Sequence, residues 1–363
     1  MTSTAIPFPK RQLGRNGPMV SSLGFGAMGI GMTESVNAPF PVYGATTEED
    51  ALATLTRAAD TGVTFWDTAD VYGDSELTIG KWFAKTGRRD EIFLATKWGS
   101  IDLTPNSANA WVPTSKPDYI RERIETSLKR LQTDHIDLYY QHRVDPAIPT
   151  EVVLETLRPY VEKGVIRYIG LSDCCADVLR RACAVPGIGD KVIAAQMELS
   201  PFETYIIDNG FMDTARELGV AVVAYSPLGR GMITGRYTSL GDFGEDDMRR
   251  LMPRFQGENF TKNLALVEAF KRMAAKYNVT PSQICLAWLL ARYPDSIPIP
   301  GSRDIARQEE NAKSANIQLA AEDVEALSNL VKEAQVGGAR YPPAFSSMMT
   351  EDCITLKEWK AKQ

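Results

Sequence analysis

Histidine is almost missing from this chain. Only His135 and His142 occur in 363 residues, and no cysteine stands near them, so a structural zinc site of the usual Cys/His kind lacks ligands. The five cysteines, at positions 174, 175, 183, 285 and 353, form no CxxC pair and no even-numbered framework, which leaves reduced thiols as the simplest reading. No apolar run approaches the roughly 18 residues of a membrane helix. The opening MTSTAIPFPK lacks a basic start followed by an apolar core, so no secretory leader is read there and a cytoplasmic setting is expected. Positive charge is not in excess either. Forty Lys and Arg against 46 Asp and Glu give a formal net charge of −6, which argues against nucleic acid or an anionic membrane as partner.

What the chain does have is rhythm. Strand-like runs fall at 22–28, 64–68, 92–96, 136–141, 166–171, 193–198, 221–225 and 296–299, with helical periodicity at 47–61, 75–85, 116–131, 150–163, 176–185, 207–218, 262–277, 281–292, 305–314 and 321–332. Strands alternating with helices imply a parallel sheet, and a count of eight favours a closed (β/α)8 barrel, a TIM barrel in one domain, over an open doubly wound sheet. The barrel is expected over residues 11–335, leaving 336–363 as a C-terminal tail that either folds over the barrel mouth or wraps its outside. Residues 11–20 read as a hairpin plugging the barrel bottom, with Asn16-Gly17 as its turn. Thr280-Pro281 reads as a helix start, and Gly164 and Gly219 as left-handed helix ends.

Three connections after strands are long: 29–46, 99–115 and 229–261. Their Phe40, Tyr43, Trp111, Tyr237 and Phe255 suit lids over a pocket at the C-terminal face. One motif misleads. GFGAMG at 24–29 matches the GxGxxG dinucleotide fingerprint, but GMTESVNAPFPVYG follows it where that site needs a helix. These glycines are read instead as permitting close backbone approach.

The chemistry-bearing residues end the second, third and fourth runs: Asp67 and Tyr72 in WDTADVYG, Lys97 in IFLATK, and His142 in LYYQH. Taken singly, each has a structural explanation in packing or a buried ion pair. Together, at consecutive strand ends, they place an acid, a phenol, an amine and an imidazole around one pocket. Hydride arriving at a carbonyl carbon puts negative charge on oxygen, which needs a proton donor and nearby positive charge. Tyr72 is the proton donor in this reading. A free tyrosine titrates at about 10. Lys97 favours its phenolate, Asp67 holds the ammonium, and His142 orients the substrate oxygen.

The blocks DTADVYG, LATKWG, YYQHRVD, YIGLSD, AAQMELSPF, VVAYSPLGRG and IPIPGSRDIARQEEN resemble, in order and spacing, those of the aldo-keto reductases over nearly the whole chain. With MPRFQGENF at 252–260, the chain looks most like the longer microbial and plant members, of the pyridoxal reductase or aryl aldehyde reductase kind. The resemblance implies a barrel that uses NADPH without metal or flavin, with Asp67, Tyr72, Lys97 and His142 as its catalytic tetrad. It carries the nicotinamide carboxamide to Ser172, Asp173 and Gln196, and stacking on the ring to Tyr225. The pyrophosphate goes to Ser226, Leu228, Gly229 and Gly231. Gly301, Ser302, Arg303 and Arg307 stand just beyond the last run and into a helix start, where amides and guanidinium groups can hold a phosphate. By the resemblance Arg303 and Arg307 correspond to the grip on the adenosine 2′-phosphate, and Glu310 and Asn311 to the adenine contacts. Asp173 departs from the usual asparagine, and an ionised aspartate accepts but does not donate. The same resemblance leaves open a nucleotide-binding regulatory subunit with little turnover. The substrate pocket is expected to draw on Met28, Tyr43, Trp98, Trp111 and the tail, whose aromatic walls favour aryl aldehydes and other flat carbonyl compounds, pyridoxal-like ones included. A monomer is expected.

Overall fold

The computed structural model describes residues 7–31, 46–108 and 110–362. Its centre is eight parallel strands: β1 Phe25–Gly26, β2 Phe65–Asp67, β3 Phe93–Trp98, β4 Ile136–Gln141, β5 Ile166–Ser172, β6 Val192–Glu198, β7 Ala221–Tyr225 and β8 Ser296–Pro298. Each pairs with the next in chain order. The seam between first and last is closed by backbone bonds: Gly24 N donates to Pro298 O at 2.9 Å and Gly26 N to Pro300 O at 3.2 Å. The structure is the (β/α)8 barrel expected from the alternation of elements. β1 is shorter than its run because the chain tightens into a 3-10 helix at Ala27–Gly31.

The seam accounts for two glycines of GFGAMG. A Cβ on Gly24 would lie 2.7 Å from Ile299 Cγ2, and one on Gly26 would lie 2.8 Å from the Ile299 carbonyl oxygen. Any side chain there would push the strands apart.

Strands buried on both faces lose the polar alternation of exposed sheets, and all six residues of β4 are buried. Their side chains still alternate in direction. Phe65 packs inside the barrel with Ala95, Leu138, Ile193 and Val223, whereas Trp66 and Trp98 join the clusters under the helices. Below the barrel, Lys10–Gln12 pairs antiparallel with Met19–Ser21, and Leu13 and Val20 enter the inner cluster. The plug is as expected, but its turn is not the two-residue Asn-Gly form. Gly17 N donates to Gly14 O at 3.2 Å, and the left-handed residue is Gly14, φ 72°, where a Cβ would collide with the Ile193 carbonyl.

Helix ends follow local chemistry. Thr280 and Gln283 exchange reciprocal side-chain to backbone bonds of 3.3 and 3.1 Å at the start of Pro281–Arg292. The expected helix over 207–218 divides into Tyr205–Asp208 and Phe211–Leu218. Gly210 is left-handed there, φ 78°, and the Asn209 side chain accepts from Phe211 N at 2.9 Å. The tail lies over the barrel mouth, with Tyr341, Phe345, Met348 and Met349 in the wall of the cavity there. Among the described residues, no helix is long and apolar enough to cross a membrane.

Candidate active site

The C-terminal mouth holds a cavity of about 350 Å³. Asp67, Tyr72 and His142 line it, and Lys97 lies directly behind. Asp67 is the last residue of β2 and Lys97 the next to last of β3, and both point inward, so alternation brings them together. Lys97 Nζ donates to Asp67 Oδ1 and, at 2.7 Å, to the Thr68 carbonyl. Gln196 Nε2 donates to Asp67 Oδ2 at 2.7 Å. Burial pushes the Asp67 carboxyl up and the Lys97 ammonium down, while their mutual contact pulls both back toward the ion pair. Lys97 Nζ sits 4.9 Å from the Tyr72 ring centroid. The His142 ring meets Tyr72 edge-on, 5.6 Å between centroids. Burial first, then the Lys97 and Arg143 charges, hold His142 well below its ordinary range. It is therefore neutral near pH 7 and presents a single N–H donor.

Sequence reasoning missed a fifth titratable group. Asp70, in the same WDTADVYG block, has both carboxylate oxygens buried without a hydrogen bond of good geometry among the described residues. Burial and neighbouring Glu76 raise it to about 8, against the pull of Arg123, the Val71 amide and Arg130. Its unfolded value is about 4. A folded-state value above the unfolded one means that Asp70 favours the fold fully below pH 4 and loses that contribution as pH rises toward 8. Asp70→Asn is expected to flatten this fall in stability, measured by urea unfolding between pH 5 and 8. An unchanged slope would show that Asp70 is already ionised in the folded protein.

From the tetrad the cavity runs past Ser172, Gln196 and Tyr225, along Ser226, Leu228 and Gly231, to Gly301, Ser302, Arg303, Arg307, Glu310 and Asn311. Ser226, Gly229, Arg230 and Gly231 all have positive φ, 49°, 57°, 55° and 91°. Two of these amides close turns within the segment, Gly229 N on Ser226 O at 2.9 Å and Gly231 N on Leu228 O at 3.0 Å, which fixes the course of this wall. At the far end, burial and the charges of Arg307 and Arg249 lower Arg303. Like charges crowded together there would be relieved by a phosphate. Arg307 Nε is 3.0 Å from Asp304, which also caps the helix Ile305–Lys313 by accepting from Arg307 N at 2.8 Å. Glu310 accepts from Thr280 Oγ1 and Arg236.

Several expected positions fall elsewhere. Trp98 is fully buried and stacks on Tyr139, centroids 4.5 Å apart; it follows inward-facing Lys97, so alternation turns it to the helices. Trp111 is 48% exposed and lies off the cavity, so among the described residues of the loop 99–115 only Ser100 reaches the wall. Gly229 is also off the wall, under the Phe202 ring. Asp173 follows inward-facing Ser172 and turns away, its carboxylate held by Arg143, Arg340 and Tyr225. Tyr43 lies outside the described residues. Met28 does line the cavity, as do Tyr237 of the third long loop and the unforeseen Arg143 and Arg230. Cys174 is buried, and burial raises its thiol well above the ordinary range, which makes it a packing residue rather than a reactive one.

Comparison with known proteins agrees with this geometry. The model of the aldo/keto reductase family matches residues 22–332. The chain is 45% identical over 338 residues to aldo-keto reductase str7 of Strobilurus tenacellus, covering 92% of this chain and 95% of that protein. It is 44% identical over 351 residues to aldo-keto reductase yakc [NADP(+)] of Schizosaccharomyces pombe, covering 96% and 98%. A crystal structure of the thermostable aldo-keto reductase Tm1743 with the inhibitor epalrestat superposes with a TM-score of 0.68 at 28% identity, covering 89% of this chain and 99% of that one. Eight strand ends converging on one cavity, and a family match across nearly the whole barrel, lead to one assignment: this chain belongs to the aldo/keto reductase family.

Proposed function

We propose that this protein reduces aldehydes, flat aromatic ones best, using NADPH and the phenol of Tyr72. The observation that carries this reading is the stacked order of Asp67, Lys97 and Tyr72 at one wall of the cavity, with the Lys97 ammonium 4.9 Å from the phenol ring. NADPH, when bound, supplies the hydride for the carbonyl carbon. The residues of the chain manage the proton and the developing charge. Tyr72 gives its proton to the carbonyl oxygen, and the ammonium beside it stabilises the phenolate left behind. Asp67 holds Lys97 in place and balances its charge in a dry site. His142, kept neutral, donates a hydrogen bond to the same oxygen without acting as a competing acid.

The cofactor fits the rest of the cavity. Gln196 has its amide nitrogen committed to Asp67, so its carbonyl is the end left for a carboxamide N–H, and Ser172 supplies a hydroxyl donor. Tyr225 offers its ring, and Arg303 with Arg307 would grip a 2′-phosphate. The S. pombe relative carries NADP(+) in its name, which supports the same choice. Arg303→Ala/Arg307→Ala is expected to weaken NADPH binding by about 10–100-fold, the loss of one or two charge-assisted contacts, with NADH binding little changed. Retention of the NADPH preference in this variant would move the phosphate site elsewhere.

Met28, Val71, Tyr341, Phe345 and Met348 give the tetrad end an apolar wall with adaptable thioethers, which suits aryl aldehydes and pyridoxal-like carbonyl compounds over small sugars. The test is loss of NADPH absorbance with a panel of pyridoxal, nitrobenzaldehydes and a simple aldose. Turnover highest on the aromatic aldehydes supports the proposal. Tight NADPH binding with no turnover on any member would favour a nucleotide-sensing regulatory subunit instead.

A further inference from the structure

Two carboxylates sit side by side where β5 and β6 end. Asp173 follows the last residue of β5, and Glu198 is the last residue of β6; their side chains are each 3% exposed. Neither reaches the tetrad. Buried carboxylates at neighbouring strand ends repel one another unless cations are built in beside them. Here one residue of the tail serves both. Arg340 Nη2 lies 2.8 Å from each Asp173 oxygen, and its Nε donates to Glu198 Oε2 at 2.7 Å. The same Nη2 donates to the hydroxyl of Tyr225, which in turn donates to Asp173 Oδ2 at 2.7 Å. Two further arginines join the set: Arg143 pairs with Asp173 Oδ2, and Arg230 donates to Glu198 Oε2 at 3.0 Å and to the Arg340 carbonyl at 3.2 Å.

We propose that Arg340 is a positioning residue of the nicotinamide site. It clamps Asp173 and Glu198, holds the Tyr225 ring at the orientation on which the nicotinamide packs, and pins the near end of the tail across the substrate side of the cavity. This rests on the reading of Tyr225 as the nicotinamide platform.

The position of Asp173 fits this role and not that of a carboxamide ligand. Its backbone is left-handed, φ 43°, which turns the side chain from the cavity wall toward the tail. Its charge is what an arginine clamp needs, so the departure from asparagine has a use. The tail is also anchored at its far end by separate contacts. Cys175 N donates to Glu351 O at 2.7 Å, Ile354 N donates to Pro146 O at 3.1 Å, and Arg181 donates to the Cys353 and Ile354 carbonyls. Between the two anchorages, Tyr341, Phe345, Met348 and Met349 face the cavity. Arg340 is therefore the tie whose removal loosens a segment of the substrate wall and leaves the Tyr225 hydroxyl held by Asp173 without the arginine that fixes both.

The test compares wild type with Arg340→Gln and with Arg340→Gln/Asp173→Asn, titrating NADPH by its fluorescence and adenosine 2′,5′-bisphosphate by calorimetry. The second ligand reaches only the adenosine end, so it reports on folding and on the distant arginines. The proposal expects Arg340→Gln to raise the NADPH Kd about tenfold, the loss of a charge-assisted contact, with the bisphosphate Kd unchanged. It expects the double variant, which removes the Asp173 charge that Arg340→Gln leaves to Arg143 alone among its two arginines, to recover part of that loss. Equal NADPH affinity in wild type and Arg340→Gln would overturn it, as would parallel weakening of both ligands. Absence of NADPH binding in the wild type would instead refute the cofactor reading on which it stands.

Discussion

Tyr72→Phe is expected to lower kcat on an aryl aldehyde by about 10²–10⁴-fold, the range for loss of a general acid, while leaving the NADPH Kd and the unfolding midpoint nearly unchanged. The substitution removes one oxygen and keeps the ring. The ring contacts recorded for Tyr72, edge-on to His142 and beside the Lys97 ammonium, survive in phenylalanine. The proton that the mechanism needs is lost with the oxygen. His142 does not take over, because burial and two neighbouring cations keep it neutral and poorly suited to deliver a proton near pH 7. Steady-state kinetics on both proteins, with NADPH titrated separately, decide the matter. A fall of less than a few-fold would make water or another group the acid and reduce Tyr72 to a wall residue.

The barrel was legible in the sequence because parallel strands buried on both faces appear as short apolar runs, and turn chemistry separates them from the helices. β4 and β7 coincide with their runs residue for residue. The clustering of Asp67, Tyr72, Lys97 and His142 was legible for a related reason: they lie at or just beyond the ends of runs that must meet at one mouth. Direction within a strand was harder to read. Trp98 looked like a pocket wall because it adjoins Lys97, yet adjacent residues of a strand face opposite sides, and the structure sends it under the helices. The same step from Ser172 to Asp173 separates a cavity residue from a clamp residue. The tail was illegible because nothing local fixes its course. It is held by pairings far apart in sequence, Arg340 with Asp173 and Glu198, and Cys175 with Glu351, and long-range pairing leaves no periodic trace.

Lys97→Met is expected to cost about 3–5 kcal/mol of stability, the penalty for stranding a buried carboxylate, and also to abolish turnover. Asp67 lies at the centre of the barrel mouth, 2% exposed. With Lys97 gone, its remaining side-chain hydrogen bond among the described residues is from Gln196, so the charge would have to be carried without a cation or be neutralised by a proton. The size of the loss reports which of these happens. If the folded protein holds a true ion pair, the single variant is strongly destabilised, and Asp67→Asn/Lys97→Met, which removes both charges, regains most of the difference. If burial has already driven the proton from Lys97 onto Asp67, the single variant retains a neutral acid and the two variants unfold at similar urea concentrations. Urea unfolding of wild type and both variants at pH 7 separates the two states. The distinction bears on catalysis, because only a charged Lys97 lowers the cost of leaving Tyr72 as phenolate. A near-wild-type midpoint for the single variant would therefore remove the electrostatic half of the proposed mechanism and leave Tyr72 acting without a cation behind it.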